Sequence, residues 1–519
     1  MTHPPPGSPG WQQPSTPGDD RPTWLRQPTG GSGEPGQGPG WPSPPPGAAE
    51  PGWEGRGWVA TPPPEPPHGR RVGPLTAALV LLLVVGLAVG GLVFATRRDP
   101  PAATAGGTAP TTPTTQAPAT PTTRAPAATP AGPEIRAVQR DVAELRDLEF
   151  RRQVPVTVES PDKLAKRLLR VLAEETDEAE LRRQGRAMEL LGELPPGTDL
   201  PRLLNRLQAE SVLGFYLPGR RPPKGGLYVR SSRGLDPYAK IILAHELTHA
   251  VTDQRFDLTH ADRLTATTAA EDELAAYTAL AEGDATFTMQ RYLAERLTPA
   301  EQADAGLAAA TERTPERDAA PAVIRESMLF PYQEGLRFVR TLYAQGGWDA
   351  VNRAYRDPPK TTEQLLHPER YLGNRDHPQK VPVPDLSSRL GGGWRPAGEF
   401  SFGELDARLL LQGELPVTAA EAAAEGWDGG RVRTFQRGTD TALALRTVWD
   451  STAEAAQFCT AMRTWATDRF GRPTRTPSTL RWSGAGQHTT LRCRGPNATW
   501  LSAPDRPTLT RLTTAIGSP

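Results

Sequence analysis

Cysteine is almost missing from this chain: Cys459 and Cys493 are the only two in 519 residues, so at most one internal disulfide can form. Net charge is missing too. Fifty-nine basic and fifty-nine acidic side chains cancel, which removes any global electrostatic case for nucleic acid as a partner. Histidine is scarce, at eight, so any ordered histidine pattern carries weight. Long apolar runs are scarce as well; residues 74–96 form an uncharged apolar stretch of membrane-spanning length.

Proline (57) and glycine (50), by contrast, are too abundant for one compact domain, and they are unevenly placed. Residues 1–69 are dominated by Pro, Gly, Ser and Trp and cannot bury enough apolar surface to offset their ordering entropy. They read as a disordered region, with short runs such as Pro44-Pro45-Pro46 as spacers or polyproline II ligands. At about 1.5 Å per residue, the run 74–96 spans roughly 35 Å, which predicts one transmembrane helix. Arg70 and Arg71 precede it and Arg97 and Arg98 follow, so flanking charge does not fix orientation. A cleaved signal peptide ending at Val93-Phe94-Ala95 is the alternative. Residues 97–134 form a Pro/Thr/Ala-rich linker of the kind that holds a folded domain off a surface. An even cysteine pair in an exported region favours one disulfide over two buried thiols. These readings place 1–69 in the cytoplasm and the folded part outside a cell membrane, where contact with the cell wall is open to it.

Beyond about residue 135 the composition becomes globular. Helical periodicity marks 137–150, 161–193, about 269–297, 334–345, 348–356, 403–411 and 416–425. Residues 212–216 and 226–230 read as a hairpin, and 375–400 as a loop. From about 430 a strand at 441–449, a helix at 452–469, two short strands and a last helix follow. The expected fold class is α+β: a mostly helical domain over 135–425 and a small α+β accessory domain over 430–519.

The chemistry concentrates in His245-Glu246-Leu247-Thr248-His249. Histidines four apart on a helix share a face, so both imidazoles can reach one metal ion. Glu246, about 100° further round, stands where a general base must be. Asp236 and Pro237 predict the start of this helix, and Leu243, Leu247, Ala250 and Val251 its core face. A catalytic zinc needs a third protein ligand. Asp253, Asp257, His260, Glu271, Asp272, Glu273, Glu282 and Asp284 follow downstream, and Thr252 and Arg255 exclude the spacing that would make a third histidine the ligand. Glu282 is the choice, because Ala, Leu and Gly surround it where a merely solvated carboxylate is out of place. Asp253 and Asp284 then fall to supporting roles, Asp284 as acceptor for a ligand imidazole N–H. The expected set is thus Zn²⁺ held by His245, His249 and Glu282, with Glu246 catalytic. His367 is the first candidate to stabilise an oxyanion, with Tyr332 and Tyr371 behind it. Its alternative is a structural histidine at a His-Pro turn.

The stretch His245–Val251 resembles the metal helix of thermolysin-type gluzincins. With Asp253-Gln254-Arg255-Phe256-Asp257-Leu258 and Glu282-Gly283-Asp284-Ala285, it more closely resembles a group of bacterial membrane-associated H-E-x-x-H metallopeptidase-like proteins. Phe330-Pro331-Tyr332-Gln333-Glu334-Gly335 and Thr362-Glu363-Gln364-Leu365-Leu366-His367-Pro368-Glu369-Arg370-Tyr371 match two further segments of that group. The resemblance covers roughly 200–375 and implies a zincin-like domain. It departs from thermolysin at Thr286, where an acidic residue would stand, so the third ligand carries over by role only. The implied function is hydrolysis of peptide bonds in a peptide or protein by zinc-activated water. A non-catalytic surface scaffold and a zinc hydrolase of cell-wall peptides are the alternatives.

Overall fold

The computed structural model describes residues 132–517, apart from 219–225, 233, 268 and 476–478. The expected leader and membrane span lie outside these residues, as does the linker up to 131. The linker's last residues, 132–134, open a helix instead. No described helix is long and apolar enough to cross a membrane. The described chain mixes helix and sheet, is mostly helical, and concentrates its sheet toward the C-terminus.

Helix α1 (Gly132–Arg146) precedes strand β1 (Val156–Glu159). The long charged segment after it is two helices, α2 (Pro161–Glu175) and α3 (Glu178–Leu190). Asp177 separates them by accepting from the N–H groups of Ala179 and Glu180, a side-chain cap that starts a new helix. Helix α4 (Leu200–Ser211) leads to strands β2 (Gly214–Leu217) and β3 (Gly226–Arg230), which pair antiparallel as the hairpin signal suggests. Strand β1 pairs parallel with the other side of β3, leaving β2 on the sheet edge.

Helix α5 (Pro237–Phe256) begins where Asp236 accepts the Ala239 N–H at 2.8 Å and Pro237 fills the first position. Its expected core face is buried, but so is most of the opposite face. Strand β2 and helix α6 (Glu271–Arg296) both pack against α5, so the histidine side is closed in as well. A helix buried all round is normally apolar all round. Here Thr248 and Thr252 satisfy themselves on the carbonyls of Ala244 and Thr248, leaving His245, Glu246 and His249 as the polar groups to be explained.

Helix α7 (Ala322–Arg356) crosses α6. It contains Pro331 and breaks at Gly346 and Gly347, so 334–345 and 348–356 are separate helical stretches, the first extended back to 322. The crossing is unusually close. A Cβ on Gly283 would sit 2.1 Å from the Gly335 carbonyl oxygen, and one on Gly335 2.0 Å from that of Ala279. Both positions need glycine because backbone meets backbone there.

Short helices α8 (Thr362–Leu366) and α9 (Pro368–Leu372) lead to strand β4 (Arg395–Ser401), then helices α10 (Glu404–Gln412) and α11 (Val417–Ala424). Strands β5 (Trp427–Arg437) and β6 (Asp440–Trp449), helix α12 (Thr452–Phe470), strands β7 (Thr474–Arg475), β8 (Leu480–Gly484), β9 (Gln487–Arg494) and β10 (Asn497–Ala503), and helix α13 (Arg506–Ala515) complete the chain. All seven strands β4–β10 form one antiparallel sheet, ordered β4-β5-β6-β10-β9-β8-β7. Strand alternation covers both faces. Leu443, Leu445, Ala498 and Trp500 meet α12, while Ala442, Ala444, Leu501 and Ala503 meet α13. A disulfide between Cys459 and Cys493 ties α12 to β9.

The sheet starts earlier than the composition suggests. Strand β4 occupies part of the expected loop, and Leu410, Leu411, Ala420 and Ala423 already belong to the sheet's core. The first strand of this sheet thus begins at residue 395, ahead of the expected start of the accessory domain at 430.

Candidate metal centre

Helices α5 and α6 bring His245, His249 and Glu282 together. Glu282 Oε2 lies 3.1 Å from His245 Nε2 and 3.4 Å from His249 Nε2, and the two imidazole nitrogens are 3.0 Å apart. A tetrahedral ion bonded at about 2.0–2.1 Å separates neighbouring ligand atoms by about 3.3–3.4 Å. Three corners of such a figure are thus in place. The donor chemistry fits as well: one buried carboxylate faces two imidazoles, a charge arrangement that a cation stabilises. His245 is fully buried and Glu282 nearly so, while the His249 side chain retains 13% exposure and marks the open side.

The charges respond to this enclosure. Burial opposes ionisation of Glu282, but the His249 and His245 imidazoles overcome it and hold the carboxyl well below its usual range. Burial likewise opposes a charge on His249, and Glu282 overcomes it, raising that imidazole. His245, the more buried ring, is lowered by desolvation.

Glu246 lies beside the three donors. Burial pushes its carboxyl up to about 8, against the pull of His249 and of the Tyr216 backbone N–H. Strand β2 makes that contact possible. Gly214 faces α5, and a Cβ there would come within 3.1 Å of the Glu246 Cγ. The Tyr216 hydroxyl reaches over to Asp253 Oδ2 at 2.8 Å and ties β2 to α5; this bond goes to Tyr216 and not to any of the three donors.

Two expectations need correction or relocation. Asp284 does not support a ligand imidazole. Two residues past Glu282 it points about 200° round the helix, where its oxygens accept from Arg146 Nε at 2.7 Å and the Tyr355 hydroxyl at 2.9 Å. The second nitrogen of His245, Nδ1, is buried without a hydrogen-bond partner among the described residues. His367 bonds to Glu404 Oε1 at 3.0 Å and approaches Arg408, both on α10, and no bond links it to the three donors. Tyr371 donates to the Asp357 carbonyl, also elsewhere. Tyr332 is the aromatic that reaches the site. Its ring centroid is 6.2 Å from that of His245, and its hydroxyl donates to the Glu282 carboxylate. Its signal was the Tyr332-x-x-Gly335 spacing, which puts the ring one turn from the close helix crossing. The other candidate ligands stand apart from the trio. His260 stacks edge-on with Tyr277, and Glu271, Asp272 and Glu273 bind Ser401, Thr362 and Lys360 respectively.

One other described cluster could be mistaken for a cation site: Glu363, Asp376 and Asp450. The Arg370 guanidinium already fills it, with nitrogens 2.7 Å from Asp376 and 2.8 Å from Asp450.

A family model described as a domain of unknown function (DUF8575) matches residues 393–513. That span coincides with the C-terminal sheet and contains none of the four site residues. No curated protein and no solved structure matches this chain.

Proposed function

We propose that this chain is a membrane-anchored zinc metallopeptidase with a zincin-like catalytic domain. The convergence of His245, His249 and Glu282, with Glu246 alongside, carries the reading. Two imidazoles and a carboxylate are a donor set of zinc hydrolases, and the resemblance over roughly 200–375 supports the same class. Zinc held there supplies a Lewis acid for the peptide carbonyl and makes a water more acidic. The remaining work falls to the chain. His245 and His249 contribute neutral nitrogen donors, and Glu282 contributes the anionic oxygen. Glu246 accepts a proton from the attacking water and delivers it to the leaving amine. The Tyr216 N–H fixes that carboxylate. Strand β2 pairs only with β3 among the described strands, and an edge strand beside a metal site can hold an extended peptide by main-chain pairing. This favours a peptide or protein substrate. The apolar run 74–96 supports a membrane anchor, and the disulfide supports an extracytoplasmic location.

Glu246 also speaks against a non-catalytic scaffold, which has no use for a general base. The test is the purified full chain and its Glu246→Gln and His249→Ala variants, with metal content and hydrolysis of peptide and peptidoglycan panels measured together. Glu246→Gln keeps its zinc and loses peptide hydrolysis by about 10²-fold or more. His249→Ala loses the zinc. Full zinc occupancy in the wild type without turnover of any substrate replaces this reading with the scaffold. Turnover confined to peptidoglycan replaces it with the cell-wall hydrolase.

A further inference from the structure

We propose that Tyr332 is the positioning residue for Glu282: its phenol fixes which carboxylate oxygen faces the two imidazoles. This rests on reading the site as a metal centre. A glutamate reaches its target through several rotatable bonds, so a ligand of this kind needs outside support to present one oxygen steadily. In many histidine-rich metal sites that support comes from acceptors on the far nitrogens of the imidazoles. Here His245 Nδ1 has no such partner among the described residues, and Asp284 is committed to Arg146 and Tyr355. His245 thus lacks such support, and the contact at the carboxylate side can supply it.

Tyr332 is built to provide it. Its hydroxyl donates to the Glu282 carboxylate, its ring lies tilted 36° against His245, and only 3% of the residue is exposed. A phenol can reach that carboxylate because α7 lies against α6 with backbone contact. Gly335, one turn after Tyr332, meets Ala279 and Gly283, and Gly283 is the neighbour of Glu282. The Tyr-x-x-Gly of α7 and the Glu-Gly of α6 are therefore two halves of one device. The glycines set the helix separation and the tyrosine uses it.

The experiment removes only the hydroxyl. Tyr332→Phe keeps the ring against His245, and Tyr371→Phe removes a tyrosine hydroxyl bonded outside the site. Zinc affinity of the full chain is measured by chelator competition, with secondary structure and the metal-free unfolding midpoint followed in parallel. Tyr332→Phe weakens zinc binding by about 10- to 100-fold, and Tyr371→Phe leaves it unchanged. A second set covers any folding defect. In a Glu282→Gln background, adding Tyr332→Phe costs no further affinity, because the carboxylate it positions is gone. Equal zinc affinity in wild type and Tyr332→Phe overturns the inference while leaving the metal centre standing. So do additive losses in the double variant, or a loss of turnover at unchanged zinc affinity. A wild type that takes up no zinc overturns the metal-centre reading and this inference with it.

Discussion

Asp272 illustrates how far burial dictates the behaviour of single side chains in this protein. It sits in the first turn of α6, where Thr362 donates both its N–H and its hydroxyl to it. Burial nonetheless dominates, helped by Asp406 and Glu404, and raises the carboxyl from an ordinary 3.8 to about 8. The native state therefore holds a proton that the unfolded chain has released over most of that interval, so native stability falls as pH rises from about 4 through 8. Asp272→Asn keeps an acceptor for Thr362 and removes the titration. Denaturant unfolding of the full chain across that pH range should show a shallower loss of stability in the variant. An unchanged slope contradicts the assignment. Glu193 and Glu363 are raised by burial as well, so the slope shrinks rather than vanishes. At this scale the sequence was legible where chemistry restricts the choice. His245, Glu246 and His249 follow from their spacing, and Glu282 from its apolar neighbours. Asp284 was misread because proximity in sequence says less than 200° of helical rotation.

Among the elements, α6 and α7 meet backbone against backbone, with a glycine on each side. Replacing an exposed helical glycine by alanine typically gains up to about 1 kcal/mol. At Gly283 the opposite effect wins, because the new methyl would sit 2.1 Å from a backbone oxygen that no rotamer change can move away. Gly283→Ala should destabilise the protein by about 1–3 kcal/mol, measured as a lower unfolding midpoint. A neutral or stabilising result means that α7 can retreat without cost. Helices α5 and α6 were legible in advance because they carry their own start signals: Asp236-Pro237, and the acidic turn Glu271-Asp272-Glu273. Strand β1 was not legible. It has four residues, and its partner β3 lies some seventy residues downstream. Nor was the full burial of α5, which depends on what packs over the histidine face and not on its own periodicity.

For the whole molecule, the C-terminal sheet is joined to the helical part at the very helix that bears Glu282. Glu271 Oε2 accepts from the N–H and hydroxyl of Ser401 in β4, and Asp272 is held by Thr362. Gly403 packs so near Asp272 that a Cβ there would meet its carboxylate. Composition could not reveal this joint. Its members are common residues ninety or more positions apart, and β4, with Pro396 and Gly398 beside a bulge, has the composition of a loop. The accessory α+β character was legible from 441 onward because strand and helix periods alternate cleanly there. The central claim is that α5 and α6 together hold one metal ion. X-ray absorption at the zinc edge on the purified full chain tests it most directly. One zinc per chain is expected, with a first shell of nitrogen and oxygen only, two imidazoles among the ligands, and loss of that signal in Glu282→Ala. A chain that takes up no zinc, or a zinc whose shell is unaltered in Glu282→Ala, contradicts it.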